Sequence, residues 1–324
     1  MKNVLLYPFG LLYMLVTLMN RKLFESGIRR KKRLPRPVVS VGNLTMGGSG
    51  KTPLTKFLAK KLIGKGVKPA IVLRGYGRKT KGPFLVTAGS TAEEVGEEAL
   101  LYKRELEIDV AVAEKREEAL AVLPSLPDIF LLDDGFQHFR VHRDRDILVV
   151  DASRPEELRA LPYGRLREPL SSAGKASLVV VTKGRREDLP EKMKKVIRDI
   201  PTVEAVFQWK EKLYPDGIYI GQAAEKKMFL LLGIGNPGNF RDMALERGLK
   251  IAGERIFPDH AFPDQKLVAE INEASAGADY ILTSEKDFVK WSKAGGLKVR
   301  LAYPKLRIAL SDPDDHVGGV LAGL

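Results

Sequence analysis

The segment VVSVGNLTMGGSGKTP, residues 38–53, restricts the chain to a small group of folds. It opens with a β-branched run, which is typical of a buried strand. Gly47, Gly48 and Gly50 then permit a tight turn and a close approach of the backbone to an anion, and Pro53 suits a first helical turn. A strand, a glycine-rich loop and a helix in this order predict a phosphate-binding loop in an α/β protein.

The loop departs from the usual phosphate-loop pattern at one place, because Thr45 stands where a first glycine is expected. The rest of the spacing still predicts backbone N–H groups aimed at phosphates, with the side chain of Lys51 on the outer phosphates and the hydroxyl of Thr52 on Mg²⁺. The alternative is a glycine-rich turn without a ligand. The expected nucleotide contacts are Thr45, Gly47, Gly48, Ser49, Gly50, Lys51 and Thr52.

The composition of the chain fits a globular protein with an anionic partner. Its 324 residues, 44% of them hydrophobic, suffice for one large or two ordinary domains. The absence of cysteine excludes a disulfide framework and a thiolate metal site. A net charge of +13 indicates nucleic acid, a phosphorylated substrate or an acidic membrane surface as the partner.

The N-terminal segment favours the membrane among these partners. Residues 4–19 are uncharged and apolar on every face, and Arg21, Lys22 and the basic run 29–33 follow. The segment is short for a bilayer span of about 20 residues, so a helix in the interface is as consistent with it as a spanning one. The basic residues would then contact anionic headgroups on the cytoplasmic side. A cleaved signal peptide and a core helix are the alternatives.

From residue 38 onward, apolar runs alternate with helical stretches. This pattern predicts an α/β fold resembling the P-loop NTPases, with a mostly parallel sheet covered by helices and a ligand site at the carboxyl ends of the strands. A Pro-Asp-Gly turn at 215–217 interrupts the rhythm and is interpreted as part of a linker. The predicted parts are a membrane-associated helix (1–24), a P-loop domain (25–209), the linker (210–221), a smaller α/β domain (222–300) and a C-terminal segment returning to the large domain (301–324).

Three further segments place polar side chains at predicted strand ends. DDGFQH (133–138) puts Asp133 and Asp134 after an apolar run, where carboxylates can hold Mg²⁺; a pair of turn-forming aspartates is the alternative. LRGYGR (73–78) offers arginines for an anion clamp, although an arginine at a strand end is usually only solvated. FPDHAF (257–262) contains His260, and a single histidine there is more often packed than catalytic.

Together these segments resemble the family of tetraacyldisaccharide 4'-kinases of lipid A synthesis. The resemblance extends over nearly the whole chain and includes the missing first glycine of the loop. It rests on SVGNLTMGGSGKTP, LRGYGRKTKG, DDGFQH followed by RDRDILVVD, LREPLS (166–171), GIGNPGNF (233–240) and LTSEKD (282–287).

The resemblance implies transfer of the ATP γ-phosphate to the 4'-hydroxyl of a lipid-linked disaccharide 1-phosphate. It implies ATP and Mg²⁺ as cofactors, and a location on the cytoplasmic face of the bacterial inner membrane with the N-terminal helix as anchor. Nucleic acid is not expected as a partner, and no particular oligomeric state is indicated.

The resemblance also assigns roles to individual residues. It implies that Lys51 and His260 act in catalysis, with His260 working beside a carboxylate from the larger domain. Arg74, Tyr76, Gln137, His138 and Arg167 are expected to contact the substrate headgroup.

The carboxylate beside His260 is where this sequence departs from the family pattern, which reads Gly-Asp-Glu. Here the corresponding residues are Gly96, Glu97 and Glu98. Glu97 is therefore expected to replace an aspartate as the general base, and Glu98 to be a carboxylate near the metal, together with Thr52 and the two aspartates of DDGFQH. Without the resemblance, both glutamates would be read as the start of a solvated helix.

Two other functional classes are open to a membrane-associated P-loop protein. A GTPase would share the loop, but the aspartate needed for reading guanine is Arg185 in VTKGRRED (181–188). A nucleic-acid-binding ATPase would explain the charge but not the uncharged N-terminal segment. The alternative to the lipid kinase is therefore a membrane-associated ATPase or GTPase of unknown client.

Overall fold

A computed structural model describes residues 7–154, 159–162, 164–258 and 263–324 of the chain. Thirteen strands of these residues form one sheet. The strands are β1 (Val38–Asn43), β2 (Pro69–Leu73), β3 (Phe84–Leu85), β4 (Asp109–Val112), β5 (Ile129–Asp133), β6 (Arg145–Asp151), β7 (Leu178–Thr182), β8 (Thr202–Tyr214), β9 (Ile218–Tyr219), β10 (Lys227–Leu232), β11 (Lys250–Ile256), β12 (Tyr280–Thr283) and β13 (Arg300–Ser311).

Helices connect most of the strands. The α-helices are α1 (Tyr7–Glu25), α2 (Lys51–Gly64), α3 (Ala92–Val95), α4 (Glu97–Glu105), α5 (Glu191–Val196), α6 (Ile220–Ala223), α7 (Pro237–Leu245), α8 (Gln265–Ala274), α9 (Glu285–Ala294) and α10 (His316–Leu321). Short 3₁₀ helices span Arg116–Val122, Leu170–Lys175 and Arg186–Asp188.

The order of the strands places the phosphate-binding loop at the centre of the sheet. The order is β11-β10-β12-β13-β8-β7-β6-β1-β5-β2-β4-β3, with β9 beside β8. β1 pairs in parallel with β5 on one side and β6 on the other. The carboxyl ends of these three strands therefore lie side by side, which is where open α/β sheets bind ligands. The predicted α/β fold with a mostly parallel sheet is confirmed.

Helices cover the sheet because its strands are apolar on both faces. Every residue of β1, β2, β5 and β7 is buried. On one face, α2 and α4 contribute Leu54, Leu58 and Tyr102 to a cluster with residues from the central strands. On the other face, residues after β1 and β5 pack with the region around Met193 of α5.

The predicted linker 210–221 has regular structure. It comprises the end of β8, the turn at 215–217, β9 and the start of α6. β8 pairs in parallel with β7 and antiparallel with β13, and β13 pairs in parallel with β12. These two long strands thus make the sheet continuous between the large part (predicted as 25–209) and the small part (predicted as 222–300). The division of the chain into these domains stays a prediction.

Helix α1 has a broad exposed apolar surface. Its exposed side chains are Phe9, Leu11, Leu12, Tyr13, Leu15, Val16 and Met19. Within the described ranges, no helix is both long and apolar enough to cross a bilayer.

Candidate active site

The loop between β1 and α2 presents backbone N–H groups at an uncapped helix start. Gly50 precedes α2 with φ of 93°, and no side chain caps this end of the helix. A Cβ at Gly50 would collide with the ring of Phe207, so glycine is required there by both conformation and space. Gly48 has no other atom within 4 Å of the place where its Cβ would lie. The open side of the loop thus has room for an anion.

Lys51, the first residue of α2, points across the loop to the ends of β1 and β5. Its Nζ donates a hydrogen bond to Oδ1 of Asn43, at 3.2 Å, and lies 3.5 Å from Oδ1 of Asp134. These contacts bring together the glycine-rich loop and the DDGFQH segment.

Arg167 completes this cluster from the segment before the 3₁₀ helix 170–175. Its guanidinium binds both carboxylate oxygens of Asp134, at 2.8 and 2.9 Å, and donates to Oδ1 of Asn43. Gln137 donates to the backbone carbonyl of Asn43, at 2.8 Å. The side chains of Lys51, Asp134, Arg167 and Gln137 are therefore gathered around the end of β1.

Two cations stabilise the ionised form of Asp134. Burial opposes ionisation, but the charge of Lys51 and the hydrogen bonds from Arg167 hold the pKa of Asp134 well below its usual range. The backbone of Asp134 is also left-handed, with φ of 49°, which is uncommon for a residue other than glycine. Such strain persists where surrounding contacts fix it, and it is frequent at functional sites.

Asp133 has the opposite surroundings. Burial, and then the negative charge of Glu98, raise the pKa of Asp133 to about 7. The hydroxyl of Tyr102 donates to its carboxylate at 2.7 Å, and burial raises the pKa of Tyr102 well above its usual value. Glu98 and Tyr102 lie one turn apart on α4. The structure thus brings the predicted metal ligand Glu98 near Asp133.

The oxygen atoms at this edge fit Mg²⁺ in type. The carboxylates of Glu98, Asp133 and Asp134 and the hydroxyl of Thr52 are hard ligands. Mg²⁺ usually binds through one or two carboxylates, with water and substrate phosphates, rather than in an all-protein cage. Accordingly, no group of three or more His, Asp and Glu side chains among the described residues is arranged to hold a metal by itself. Asp133 is buried at this edge, where Glu98 and Lys51 both act on its carboxylate.

His138 lies in a buried group of charged residues. Its Nε2 is 3.4 Å from a carboxylate oxygen of Glu117, which also accepts a hydrogen bond from Arg140 at 3.0 Å. Burial, and then the charge of Arg116, lower the pKa of His138 to about 4. His138 is therefore neutral at pH 7.

Arg116 links this group to the predicted anion clamp. It is buried, and burial lowers its pKa to about 10, while Asp134 acts to raise the pKa and Arg74 to lower it. Arg74 and Tyr76 are exposed in the loop after β2. The surface next to Asp134 is therefore cationic.

Glu97 is buried against α9, which belongs to the small part of the chain. Its Oε1 lies 3.1 Å from Nζ of Lys290 and its Oε2 lies 3.5 Å from Nζ of Lys286, both on α9. Lys290 also lies 3.0 Å from Oδ1 of Asp287, whose other oxygen accepts a hydrogen bond from the backbone N–H of Gly233. The motifs GIGNPGNF and LTSEKD thus meet the start of α4. His260, the predicted partner of Glu97, lies outside the described residues.

A narrow cleft lies on the other side of the glycine-rich loop, between it and the residues after β10. Its walls include the loop at Gly47 and Gly48, Asp151 and Lys183 at the ends of β6 and β7, and Asn236. Nζ of Lys183 donates to the carbonyl of Gly48 at 2.5 Å and pairs with Asp151 at 2.6 Å. The cleft and the Lys51 cluster therefore share one loop.

Some residues of the site were not singled out from the sequence. Asn43 belongs to a quoted motif without a predicted role, although it is the last residue of a buried strand. Tyr102 follows Glu98 by one helical turn, a spacing that places both on one face of a helix. Arg116 and Lys183 carry no spacing signal of this kind.

Comparisons with known proteins identify the family of the chain. A family model described as Tetraacyldisaccharide-1-P 4'-kinase matches residues 2–321. The chain is 36% identical over 301 residues to a tetraacyldisaccharide 4'-kinase from Chlorobaculum tepidum, covering 89% of this chain and 86% of that protein. It is 38% identical over 293 residues to one from Geobacter sulfurreducens, covering 87% and 82%.

A solved structure shares the complete fold. The crystal structure of LpxK from Aquifex aeolicus in complex with ATP superposes with a TM-score of 0.81 at 30% identity, over 99% of this chain and 98% of that one. Since both the family model and these relatives span most of its length, the chain belongs to the tetraacyldisaccharide-1-P 4'-kinase family.

Proposed function

We propose that this chain is an ATP-dependent kinase that phosphorylates the 4'-hydroxyl of tetraacyldisaccharide 1-phosphate in lipid A biosynthesis. Membership of the family over residues 2–321 supports this activity. The observation that carries it is the cluster in which Lys51 of the glycine-rich loop meets Asp134, which Arg167 also binds. A phosphoryl donor and an acceptor can meet there between cationic side chains.

The nucleotide would bind along the loop between β1 and α2. The relative from Aquifex aeolicus was solved in complex with ATP, and this chain has an open loop and an uncapped helix start of the kind that binds phosphates. Lys51 would leave Asp134 and neutralise the outer phosphates. The nucleoside would lie toward the cleft beside Lys183 and Asn236, which adjoins the same loop.

Mg²⁺ would be held by Asp133, Glu98 and Thr52. Lys51 would then no longer pair with Asp134. When bound, the ion would neutralise charge on the transferred phosphoryl group. The chain's own part is to keep Asp133 buried and oriented by the hydroxyl of Tyr102.

The acceptor headgroup would lie against Arg167, Gln137 and His138, with Arg74 and Tyr76 on the exposed side. The substrate carries its own phosphate, and the exposed cation of Arg74, with the buried cation of Arg116 behind it, suits that phosphate.

Glu97 and His260 remain the proposed acid–base pair. Glu97 lies at the boundary with α9, where its carboxylate contacts Lys290 and Lys286. For the proton transfer, Glu97 would have to turn from these lysines toward the acceptor.

The exposed apolar surface of α1 would lie in the membrane interface, where the acyl chains of the substrate are buried. The basic run 29–33 is exposed next to this helix and suits anionic headgroups. We propose the cytoplasmic face of the inner membrane as the location, because ATP is found there.

The test is transfer of labelled phosphate from ATP to tetraacyldisaccharide 1-phosphate in detergent micelles with Mg²⁺. Three proteins are compared, namely the chain itself, Lys51→Ala and Glu97→Asp. We expect transfer by the chain itself and a loss of about 1000-fold or more in Lys51→Ala, because the outer phosphates lose their cation.

Glu97→Asp separates two roles of this residue. If Glu97 is the base, the shorter side chain restores the family residue and turnover rises. If it serves only to hold α9, the ion pairs lengthen, so the melting temperature falls and turnover does not rise. Hydrolysis of ATP or GTP with no labelled lipid from any of the proteins would favour the membrane-associated NTPase instead.

A further inference from the structure

Arg21 of α1 is a buried cation that the proposed chemistry does not use. Its guanidinium lies 2.6 and 2.7 Å from Oε2 of Glu168, and both side chains are almost fully buried. A buried ion pair is costly to form, and removing one partner leaves an uncompensated charge. The location of this ion pair is therefore informative, because the pair joins the N-terminal helix to the LREPLS motif.

The guanidinium of Arg21 also lies over two aromatic rings of the DDGFQH region. It is 5.3 Å from the ring centroid of Phe136 and 4.7 Å from that of Phe139. These two residues flank Gln137 and His138. A cation held against both rings fixes the backbone that carries the proposed acceptor contacts.

Glu168, the partner of Arg21, directly follows Arg167. The backbone N–H of Arg167 donates to the carbonyl of Leu44, at 2.7 Å, and the N–H of Met46 donates to the carbonyl of Arg165, at 2.8 Å. The LREPLS segment is thereby attached to the glycine-rich loop on one side. Through Glu168, it is attached to α1 on the other.

Helix α1 has two further contacts with the same scaffold. Met14 packs against the buried cluster that contains Leu44, Phe136 and Leu166. The ring centroid of Phe24 lies 6.2 Å from that of Phe139. The helix is thus packed against the residues behind the site along much of its length, while its opposite surface is exposed.

We propose that Arg21 is a positioning residue for the phosphoryl acceptor, through which the placement of α1 sets the geometry of Arg167, Gln137 and His138. The inference rests on the proposed kinase activity for its catalytic consequence, but its structural consequence is measurable without it. It makes α1 part of the active-site scaffold in addition to any role as an anchor.

The test compares the full-length chain with Arg21→Met, Arg21→Lys and a matched control, Arg241→Met, which removes an exposed pair with Glu254. For Arg21→Met we expect a loss of about 10- to 100-fold in kcat for the lipid acceptor, because small misplacements of reacting groups have effects of that size. The dissociation constant of an ATP analogue should change less than about twofold. Arg21→Lys should recover part of the loss, and Arg241→Met should behave like the unmodified chain.

Hydrogen exchange supplies a readout that does not depend on turnover. Amides in 135–139 and 165–168 should exchange faster in Arg21→Met, while those of α2 should not change. If Arg21→Met does not fold, the double variant Arg21→Met, Glu168→Gln removes both charges and is measured instead.

Unchanged exchange in these two segments would overturn the inference, whatever the activity. So would acceptor turnover equal to that of the unmodified chain, or a parallel loss of ATP-analogue binding. Absence of phosphate transfer by the unmodified chain, with faster exchange in the variant, would count against the kinase activity alone.

Discussion

Asp133 and Asp134 are neighbours in the chain, yet their carboxyl groups meet opposite electrostatic surroundings. Asp134 faces two cations, Lys51 and Arg167, whereas Asp133 is buried next to Glu98 and a tyrosine hydroxyl. The change of direction follows from the left-handed backbone at Asp134. One residue can therefore remain paired while the other stays available, which is the division of roles that a metal-dependent transfer needs.

A prediction at this scale concerns Lys183, whose side chain supports the glycine-rich loop. Its backbone is left-handed, with φ of 56°, and its Nζ bridges the carbonyl of Gly48 and the carboxylate of Asp151. Lys183→Met removes the bridge, and we expect the KM for ATP to rise about 10-fold with kcat little changed, since a loop that is less well fixed binds the ground state less tightly.

Steady-state kinetics at varied ATP measure this effect. Lys250→Met, which removes an exposed lysine paired with Glu225, is the matched control. Equal kinetic constants for Lys183→Met and the control would show that the bridge does not support the nucleotide.

Some residues of the site can be predicted from the sequence and others cannot. The two groups differ in what determines their positions. Lys51 and Asp134 stand at fixed positions relative to a strand end, so spacing predicts them. Arg116 and Lys183 act across the fold, through contacts with segments far away in the chain, and no local pattern records such contacts. The assigned role of His260 stays a prediction.

At the scale of the element, Gly48 and Gly50 in the turn before α2 have different surroundings. Gly50 holds the left-handed conformation and lies against Phe207, so it serves the fold. Gly48 has open space where a side chain would lie, so the fold does not require a glycine there, and we propose that it serves the ligand.

We predict that Gly50→Ala and Gly48→Ala have different effects. Gly50→Ala should lower the free energy of unfolding by about 1–3 kcal/mol or more, through the strained backbone and the clash. Gly48→Ala should leave it within about 0.5 kcal/mol but weaken ATP-analogue binding about 10-fold or more, because the methyl group occupies the space for phosphate. Denaturant titration and equilibrium binding measure the two quantities. A stable Gly50→Ala, or tight binding by Gly48→Ala, would contradict this division.

Elements buried on both faces were the ones that the sequence predicted well. β1, β5 and β7 are continuous apolar runs because helices cover both sides of them. The end of β8 was assigned to a linker, because the residues of this strand alternate between buried and exposed and charged side chains interrupt the run. Its pairing with β13, nearly 100 residues later in the chain, cannot be read from local periodicity.

At the scale of the whole molecule, a buried charge cluster joins the helix of the glycine-rich loop to α9. Nζ of Lys56 lies 2.9 Å from a carboxylate oxygen of Glu105 and 2.6 Å from one of Glu285. Lys305 of β13 approaches Glu105 at 3.6 Å, and Tyr303 also faces the cluster. Burial, and then the hydrogen bond with Glu105, raise the pKa of Glu285 to about 7.

This cluster predicts a pH dependence of stability. Because the pKa of Glu285 rises from 4.5 to about 7 on folding, the native state retains a proton that the unfolded chain releases in that window. The contribution is therefore present below pH 4.5 and lost as the pH rises through 7. Glu105 has its pKa lowered to about 2, so its contribution is lost only as the pH falls through that value.

Glu285→Gln should remove this slope. Relative to the unmodified chain, the free energy of unfolding of the variant should rise by up to about 1.4 kcal/mol per pH unit between about pH 5 and pH 7. Denaturant titrations at several pH values test this, with Glu270→Gln, an exposed carboxylate paired with Arg255, as the control. Parallel pH profiles for all three proteins would exclude Glu285 as the source.

The continuous sheet determines how the two parts of the chain can move. β8 and β13 are hydrogen-bonded to each other along most of their length, so any opening between the parts has to bend a two-stranded ribbon. A hydrogen-bonded ribbon resists bending elastically. After a displacement, the two parts of the chain would therefore return to one relative arrangement. The pairing is irregular between Pro304 and Leu306, and proline has no N–H to donate. We therefore expect the ribbon to bend most readily at that point.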